Sequence, residues 1–297
     1  MKIGVSSYSY SRLVRSGQMQ QIDVIAKAKE MGFDTIEFST IAVPEGKTLK
    51  EFAKELRAEA DRLEMPISNY TISANLLSGC DGDIEAEIAR VKTEVDIAEI
   101  LGCPGMRHDA AWGEFPKDWN KAKTFDAALD RIAYGCREIT KYAEAKGIKT
   151  MIENHGYFCQ DSLRVEKLVT AVDHPNFGLL IDIGNFICAD DDPEKAVGRL
   201  APFAFHCHAK DFHRKPGTMA WPGRGWNMSR SGNWWRGAII GHGNVPVYQC
   251  IRNLVSKGYD GVFSVEFEGM EDVLLGIEIG QENLRRFVKM AETWNQN

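Results

Sequence analysis

Four apolar runs in the sequence end in side chains that could do chemistry together. Thr150-Met151-Ile152 runs into Glu153-Asn154-His155, and Leu179-Leu180-Ile181 runs into Asp182. Ala204-Phe205-His206-Cys207-His208 ends in an imidazole, and Val262-Phe263-Ser264-Val265 runs into Glu266-Phe267-Glu268. A period of two puts His206 and His208 on one face of an extended chain, and Glu266 and Glu268 likewise. If the four ends converge, the negative charge they gather needs a cation to be tolerable. Three carboxylates and one imidazole suit one divalent ion: Mn2+ first, then Mg2+, Co2+, Fe2+ or Zn2+. Taken singly, each residue has a plainer use. Asp182, in Asp-Ile-Gly-Asn, could form an Asx turn or cap, Glu153 a rim ion pair, and His208 a hydrogen-bonded core contact. Four such accidents at successive run ends are less economical than one shared site, although parity alone leaves Glu266 and Glu268 equal candidates.

Convergence requires the runs to be strands of one closed sheet. Eight β-rich runs are legible: Ile3–Tyr8, Thr35–Phe38, Ile67–Thr71, Gly105–His108, Lys149–Glu153, Gly178–Asp182, Ala204–His208 and Val262–Glu266. An amphipathic stretch follows each: Met19–Met31, Leu49–Leu63, Ile84–Leu101, Phe125–Lys146, Ser162–Val172, Glu194–Leu200, Tyr248–Lys257 and Asp272–Trp294. Helix ends are punctuated by glycine at Met31-Gly32-Phe33, Leu101-Gly102-Cys103, Lys146-Gly147-Ile148 and Lys257-Gly258-Tyr259. Eight strand-helix units predict an α/β fold, a (β/α)8 TIM barrel formed by a single domain over residues 1–297, with its chemistry at the C-terminal strand ends. No G-x-G-x-x-G follows the first strand, which argues against an open dinucleotide-binding sheet.

Other polar residues at strand ends are candidates for the same face. His108 and Arg107 end the fourth run, Glu37 the second, and His155 shares the parity of Glu153. Lys210-Asp211, directly after His208, could support the site or form a surface ion pair. The segment 212–245 is long for a βα connection and carries Trp221, Trp226, Trp234 and Trp235 with Arg214, Arg224, Arg230 and Arg236. It is read as a Trp/Arg-rich loop at the active face: a lid including Trp234, a contact with a partner subunit in a homo-oligomer, or a self-packed excursion.

Composition narrows the partners. The chain has 297 residues, 44% hydrophobic and 26% charged, and a net charge of −6 from 36 basic and 42 acidic residues. No nucleic acid or anionic membrane is expected to be drawn to it. No run approaches 18 apolar residues and the N-terminus reads as a strand, so a cytoplasmic protein is expected. Seven scattered cysteines without a C-x-x-C pair read as reduced packing residues.

Over nearly its whole length the chain resembles the xylose isomerase-like, or sugar phosphate isomerase/epimerase, superfamily of TIM barrels. The motifs are Glu153-Asn154-His155, Asp182-Ile183-Gly184-Asn185, His208-Ala209-Lys210-Asp211 and Ser264-Val265-Glu266-Phe267-Glu268. The resemblance implies metal ligands Glu153, Asp182, His208 and Glu266, and selects Glu266 over Glu268. It implies a carbohydrate substrate and isomerase or epimerase chemistry, in which a proton beside a carbonyl is removed and returned through an enediolate. Glu153 and Glu266 then serve as base and acid. Arg214, six residues after His208, is similar in placement to an arginine that holds a substrate oxygen in ketose 3-epimerases. His155, His108 and Asn185 are further substrate-binding candidates, with Lys210, Asp211 and Glu268 in support. Asn185 departs from those epimerases, which tend to carry histidine there. A lyase reading uses the same site for β-elimination from an oxidised glycoside or an inosose. The apurinic-site endonuclease branch fits poorly, because strand three ends in Asn69-Tyr70-Thr71 rather than in histidines.

Overall fold

The local signals translate into elements with identifiable ends. In this computed structural model, which describes residues 1–294, helix α3 (Leu49–Arg62) opens on a capping box. The Thr48 side chain accepts from the Glu51 N–H while the Glu51 carboxylate takes that of Thr48. Helix α4 (Ile84–Leu101) closes on Gly102, whose φ of 68° is left-handed. The remaining helices are α1 (Ser11–Arg15), α2 (Asp23–Glu30), α5 (Phe125–Glu144), α6 (Ser162–Val172), α7 (Pro193–Leu200), α8 (Val247–Ser256) and α9 (Val273–Trp294).

Eight strands close a parallel barrel: β1 (Lys2–Ser6), β2 (Thr35–Ser39), β3 (Ile67–Ile72), β4 (Gly105–His108), β5 (Lys149–Glu153), β6 (Phe177–Asp182), β7 (Ala204–Ala209) and β11 (Val262–Val265). Each neighbours the next in chain order, and β11 returns to β1 with Ile3 beside Phe263 and Val5 beside Val265. Alternation along the strands separates two environments. Val5, Ile36, Phe38, Cys207 and Phe263 are buried with the helix residues Leu56, Val91 and Ile132 in one apolar cluster. Thr35, Glu37, Asn69, Arg107, His206 and Ser264 are buried polar groups of the same strands. This is the expected (β/α)8 TIM barrel, and among the described residues no helix is long and apolar enough to cross a membrane.

The structure corrects some boundaries. The first strand stops at Ser6, whose hydroxyl accepts from the Tyr8 N–H and starts a 3-10 turn over Ser7–Tyr10. The first long helix begins at Asp23 rather than Met19.

The segment after β7 is more ordered than a loop. Strands β8 (Asp211–Lys215), β9 (Asn227–Met228) and β10 (Trp234–Ala238) form a separate antiparallel sheet in the order β8-β10-β9. Its contacts are to loops after other barrel strands: Tyr157 donates to the Met228 carbonyl at 3.1 Å, and Arg230 pairs with Asp161 at 2.8 Å. Asp190 accepts from Ser229 at 2.8 Å and from Asn233 at 2.7 Å. The sheet therefore stands on the C-terminal face of the barrel.

Asp211 ties the sheet to the barrel. Its carboxylate accepts from the backbone N–H groups of Phe212 (2.8 Å), Gly241 and Gly243 (both 2.9 Å) and Val245 (3.0 Å). A Cβ at Gly243 would run into that carboxylate. Two of these bonds, from Phe212 and Val245, are buried, and stranding a buried N–H costs ~1–3 kcal/mol, so Asp211→Ala should lower unfolding stability by about 2–6 kcal/mol in urea titrations. A loss below about 1 kcal/mol would show that the 239–245 turn is held by other contacts.

Candidate active site and metal centre

Four strand ends deliver the cluster. Glu153 ends β5, Asp182 ends β6, His208 is next to last in β7, and Glu266 follows the last residue of β11. One donor atom from each lies within 4.8 Å of the other three. Asp182 makes the turn and faces the cluster at once. Its Oδ1 accepts from the backbone N–H groups of Gly184 (2.8 Å) and Asn185 (2.9 Å), which leaves Oδ2 free of the turn. The Asn154 amide fixes this strand end by exchanging two 2.9 Å bonds with the Asp182 backbone.

The orientation of His208 is set from behind. Its Nε2 lies 2.5 Å from Glu37 Oε1, and because a carboxylate can only accept, Nε2 carries the proton. Nδ1 then faces Glu266, Asp182 and Glu153. Glu37 also lies 2.7 Å from His206 Nε2, so one wholly buried carboxylate spans both imidazoles of β7. A register irregularity between Ile36 and Glu37 precedes it. Burial would raise the Glu37 carboxyl, but His208 and His206 hold it well below its ordinary range.

Glu153 is gripped on both oxygens: Asn185 donates to Oε1 at 2.8 Å, and Arg107 pairs with Oε2 at 2.6 Å. Arg107 also pairs with Asp109 at 2.7 Å, and Asp109 bonds His155 Nδ1 at 3.0 Å. Lys210 sits 3.1 Å from Asp182 Oδ2 and 3.4 Å from Glu266 Oε1, and donates to Asn185 Oδ1 at 3.3 Å. Burial raises Glu153 above the usual carboxylate range despite Arg107, whereas at Glu266 Lys210 and His208 outweigh burial and hold the carboxyl low. Burial disfavours a charged His208, yet Glu37 and Glu266 raise it well above the ordinary imidazole range. The cluster thus favours positive charge at its centre.

The donor set fits a divalent cation. Asp182 Oδ2, His208 Nδ1 and Glu266 Oε2 are buried without a well-directed hydrogen bond, and all three belong to the same cluster. Their charged neighbours are one another and Lys210, and a cation bound among them would complete the directed contacts that buried polar atoms need.

Glu153, His208, Lys210 and Glu266 line a cavity of 280 Å³ at the mouth of the barrel, with Tyr8, Trp112, His155 and Glu268 on its walls. A larger cavity of 600 Å³ opens among Lys2, Arg57, Pro104 and Val262, at the N-terminal strand ends, away from the carboxylates.

Other sequence candidates lie elsewhere. Arg214 does not reach the mouth: β8 carries it to a different cavity with Asp192 and Asn244, 3.7 Å from Asp190. Asn185 holds Glu153 rather than facing the cavity, and Asp211 serves the 239–245 turn. Trp234 pairs across from Lys215, donates to the Met219 carbonyl at 3.1 Å, and is not among the residues of the mouth. His108 has the opposite strand parity to Arg107 and is wholly buried, with Nδ1 2.8 Å from the Asp109 carbonyl. The sequence reading singled out neither Asn154 and Asp109 nor Tyr8. Asn154 lay in plain view inside the Glu153 motif; Asp109 follows Arg107-His108 directly.

Burial pushes the His108 imidazole down to about 4, so it is neutral in the folded protein. The unfolded chain then binds more protons between that value and the free histidine value of about 6.5. Stability from this residue is present above about pH 6.5 and is lost as pH falls toward 4, a change of about 2 kcal/mol between pH 7 and 4.5. His108→Asn, which retains a donor near Nδ1, should flatten the pH dependence of urea unfolding by that amount; an unchanged slope would contradict it.

Residues 25–287 match the family described as Xylose isomerase-like TIM barrel. The D-psicose 3-epimerase of Ruminiclostridium cellulolyticum is 22% identical over 212 residues, covering 68% of each chain. Among solved structures, the probable 3-DHS dehydratase of Bacillus anthracis superposes with a TM-score of 0.69 at 18% identity, covering 96% of this chain and 99% of that one. The 3-keto-D-glucoside 4-epimerase of E. coli gives 0.67 at 15% identity, with 96% and 99% covered.

Proposed function

This chain belongs to the xylose isomerase-like TIM barrel family, and from that premise we propose that it is a divalent-metal-dependent isomerase or epimerase of a sugar, keto-sugar or cyclitol. The observation that carries the proposal is the meeting of Glu153, Asp182, His208 and Glu266 at the mouth with three buried donor atoms lacking directed partners. The name of the psicose 3-epimerase relative supports the substrate class.

These four residues would hold the ion. A divalent cation bound there supplies Lewis acidity for a carbonyl and for the negative charge that develops when an adjacent proton leaves. The chain's own residues do the rest. Glu153 and Glu266 are the groups that take the proton from one carbon and return it to the other carbon or the other face. Their fixed positions matter as much as their basicity, since productive proton transfer needs hydrogen-bond reach. Arg107 and Asn185 keep Glu153 in place, and Lys210 neutralises part of the charge beside Glu266. His155, oriented by Asp109 and packed edge-on against Trp112, is placed to bond a substrate hydroxyl.

Product analysis by NMR on Mn2+-loaded protein, with keto-sugars, keto-glycosides and inososes, tests the reading. An isomer or epimer of unchanged mass is expected. Release of water or of a separate moiety would assign β-elimination instead, as the name of the dehydratase relative suggests.

A further inference from the structure

Next to the mouth lies a second cavity of 370 Å³, between the start of the chain, the β8-β10-β9 sheet and the segment after β11. Tyr8 and Glu268 belong to both cavities, and their side chains meet at 3.5 Å on the boundary. On the far side stand Arg12, Arg15, Asn227 and Trp235. Neither arginine lies within ion-pair distance of a carboxylate among the described residues: Arg12 donates to the Glu271 carbonyl at 2.7 Å, and Arg15 to Ser11 at 3.2 Å. Guanidinium groups without an ion-pair partner keep donor N–H groups in hand.

We propose that the substrate has two parts, a reacting ring in the mouth and a second, uncharged polyhydroxylated unit joined to it and seated in the adjoining cavity. This rests on the reading of the mouth as a sugar site only for the nature of the first ring. Volume supports it: a cavity of 280 Å³ lies below the ~300–1,000 Å³ usual for small-molecule sites, and the adjoining space brings the whole into that range. The lining sets the chemistry of the second unit. Arginine and asparagine donors, the Glu268 acceptor and the Trp235 indole together suit hydroxyls that donate and accept on a ring with an apolar face. A phosphate or carboxylate would meet Glu268 at the boundary, where like charges repel. The sheet after β7 thereby has a use beyond packing, since Asn227 and Trp235 form a wall of this space.

The test is binding, which does not depend on turnover. Mn2+-loaded protein is titrated calorimetrically with a keto-hexose, with the same ring joined glycosidically to a second hexose, and with the keto-hexose phosphate. The two-ring ligand should bind at least tenfold tighter than the single ring. Arg15→Gln and Trp235→Ala should each remove most of that gain while leaving single-ring binding unchanged; Arg15 is exposed, so its substitution does not threaten folding. Equal affinity for one and two rings, or equal weakening of both by the variants, overturns the proposal. Tighter binding of the phosphate than of the two-ring ligand overturns the choice of an uncharged unit. Two-ring preference with no proton exchange on any ligand would sink the assigned reaction and leave this inference standing.

Discussion

Glu153→Gln and Glu266→Gln should each lower substrate proton exchange about 10²–10⁴-fold, the span contributed by a positioned general acid or base. Glutamine keeps nearly the same shape but cannot accept and release a proton. The two variants should differ in stability. Glu153 receives donors on both oxygens, from Asn185 and Arg107. A glutamine there would turn its NH2 toward one of them, so a melting temperature below that of the parent is expected for this variant. At Glu266, Lys210 and His208 hold the carboxylate in its charged form, so loss of that charge leaves two buried cations less compensated and should cost more still. Metal content must be measured on each protein, because both residues are also proposed ligands. Full exchange in either variant at normal metal content removes that residue from acid-base chemistry.

Asp182 carries the second large effect. Asp182→Ala deletes an anionic donor and also the acceptor that closes the Gly184–Asn185 turn, whereas Asp182→Asn retains an oxygen for the turn. Both should weaken Mn2+ binding by more than the ~10–100-fold typical when only an outer partner of a ligand is lost. Asp182→Asn keeps the turn but sets an amide NH2 against Lys210, so its loss of stability should be the smaller of the two rather than nil. Glu37→Gln provides the comparison, since Glu37 lies behind His208 and His206 and outside the four proposed ligands, and a loss within that ~10–100-fold span is expected. Metal-buffered titrations supply the affinities. Unchanged affinity in Asp182→Asn would mean that the ion is not held here.

The sequence made the barrel legible because each unit states itself locally. Runs such as Gly178–Asp182 are short and nearly all apolar, as strands buried on both faces must be, and helices such as Ile84–Leu101 end on a left-handed glycine. Much of the cluster was legible for the same reason: its members sit at the ends of runs whose register is strict, so parity aims the side chains, while the choice of Glu266 over Glu268 came from the family resemblance. What parity could not give is the far partner. Glu37 meets His208 only after the sheet closes across 171 residues of sequence, and the irregularity before it leaves no mark in Thr35-Ile36-Glu37-Phe38. Arg214 was proposed from its likeness in placement to an arginine of ketose 3-epimerases, and here it lines a different cavity beside Asp190. It lies in the β8–β10 pairing, opposite Trp235. Glycine, proline and tryptophan in 216–233 gave no alternating pattern from which that sheet could be read. At Asp182 two readings of one residue need not compete, because Oδ1 closes the turn and leaves Oδ2 available to the proposed ion.

The central claim is metal-dependent proton transfer beside a carbonyl, and solvent-deuterium incorporation tests it most directly. Matched samples of Mn2+-loaded protein and chelator-stripped protein are incubated in D2O with keto-sugars, keto-glycosides and inososes, and the carbon-bound positions next to the carbonyl are followed by NMR. The account predicts deuterium at one such carbon of at least one substrate with the loaded protein, and exchange slowed toward the uncatalysed rate after stripping. Product formed by the loaded protein without any solvent deuterium, or exchange that survives complete metal removal, would contradict it.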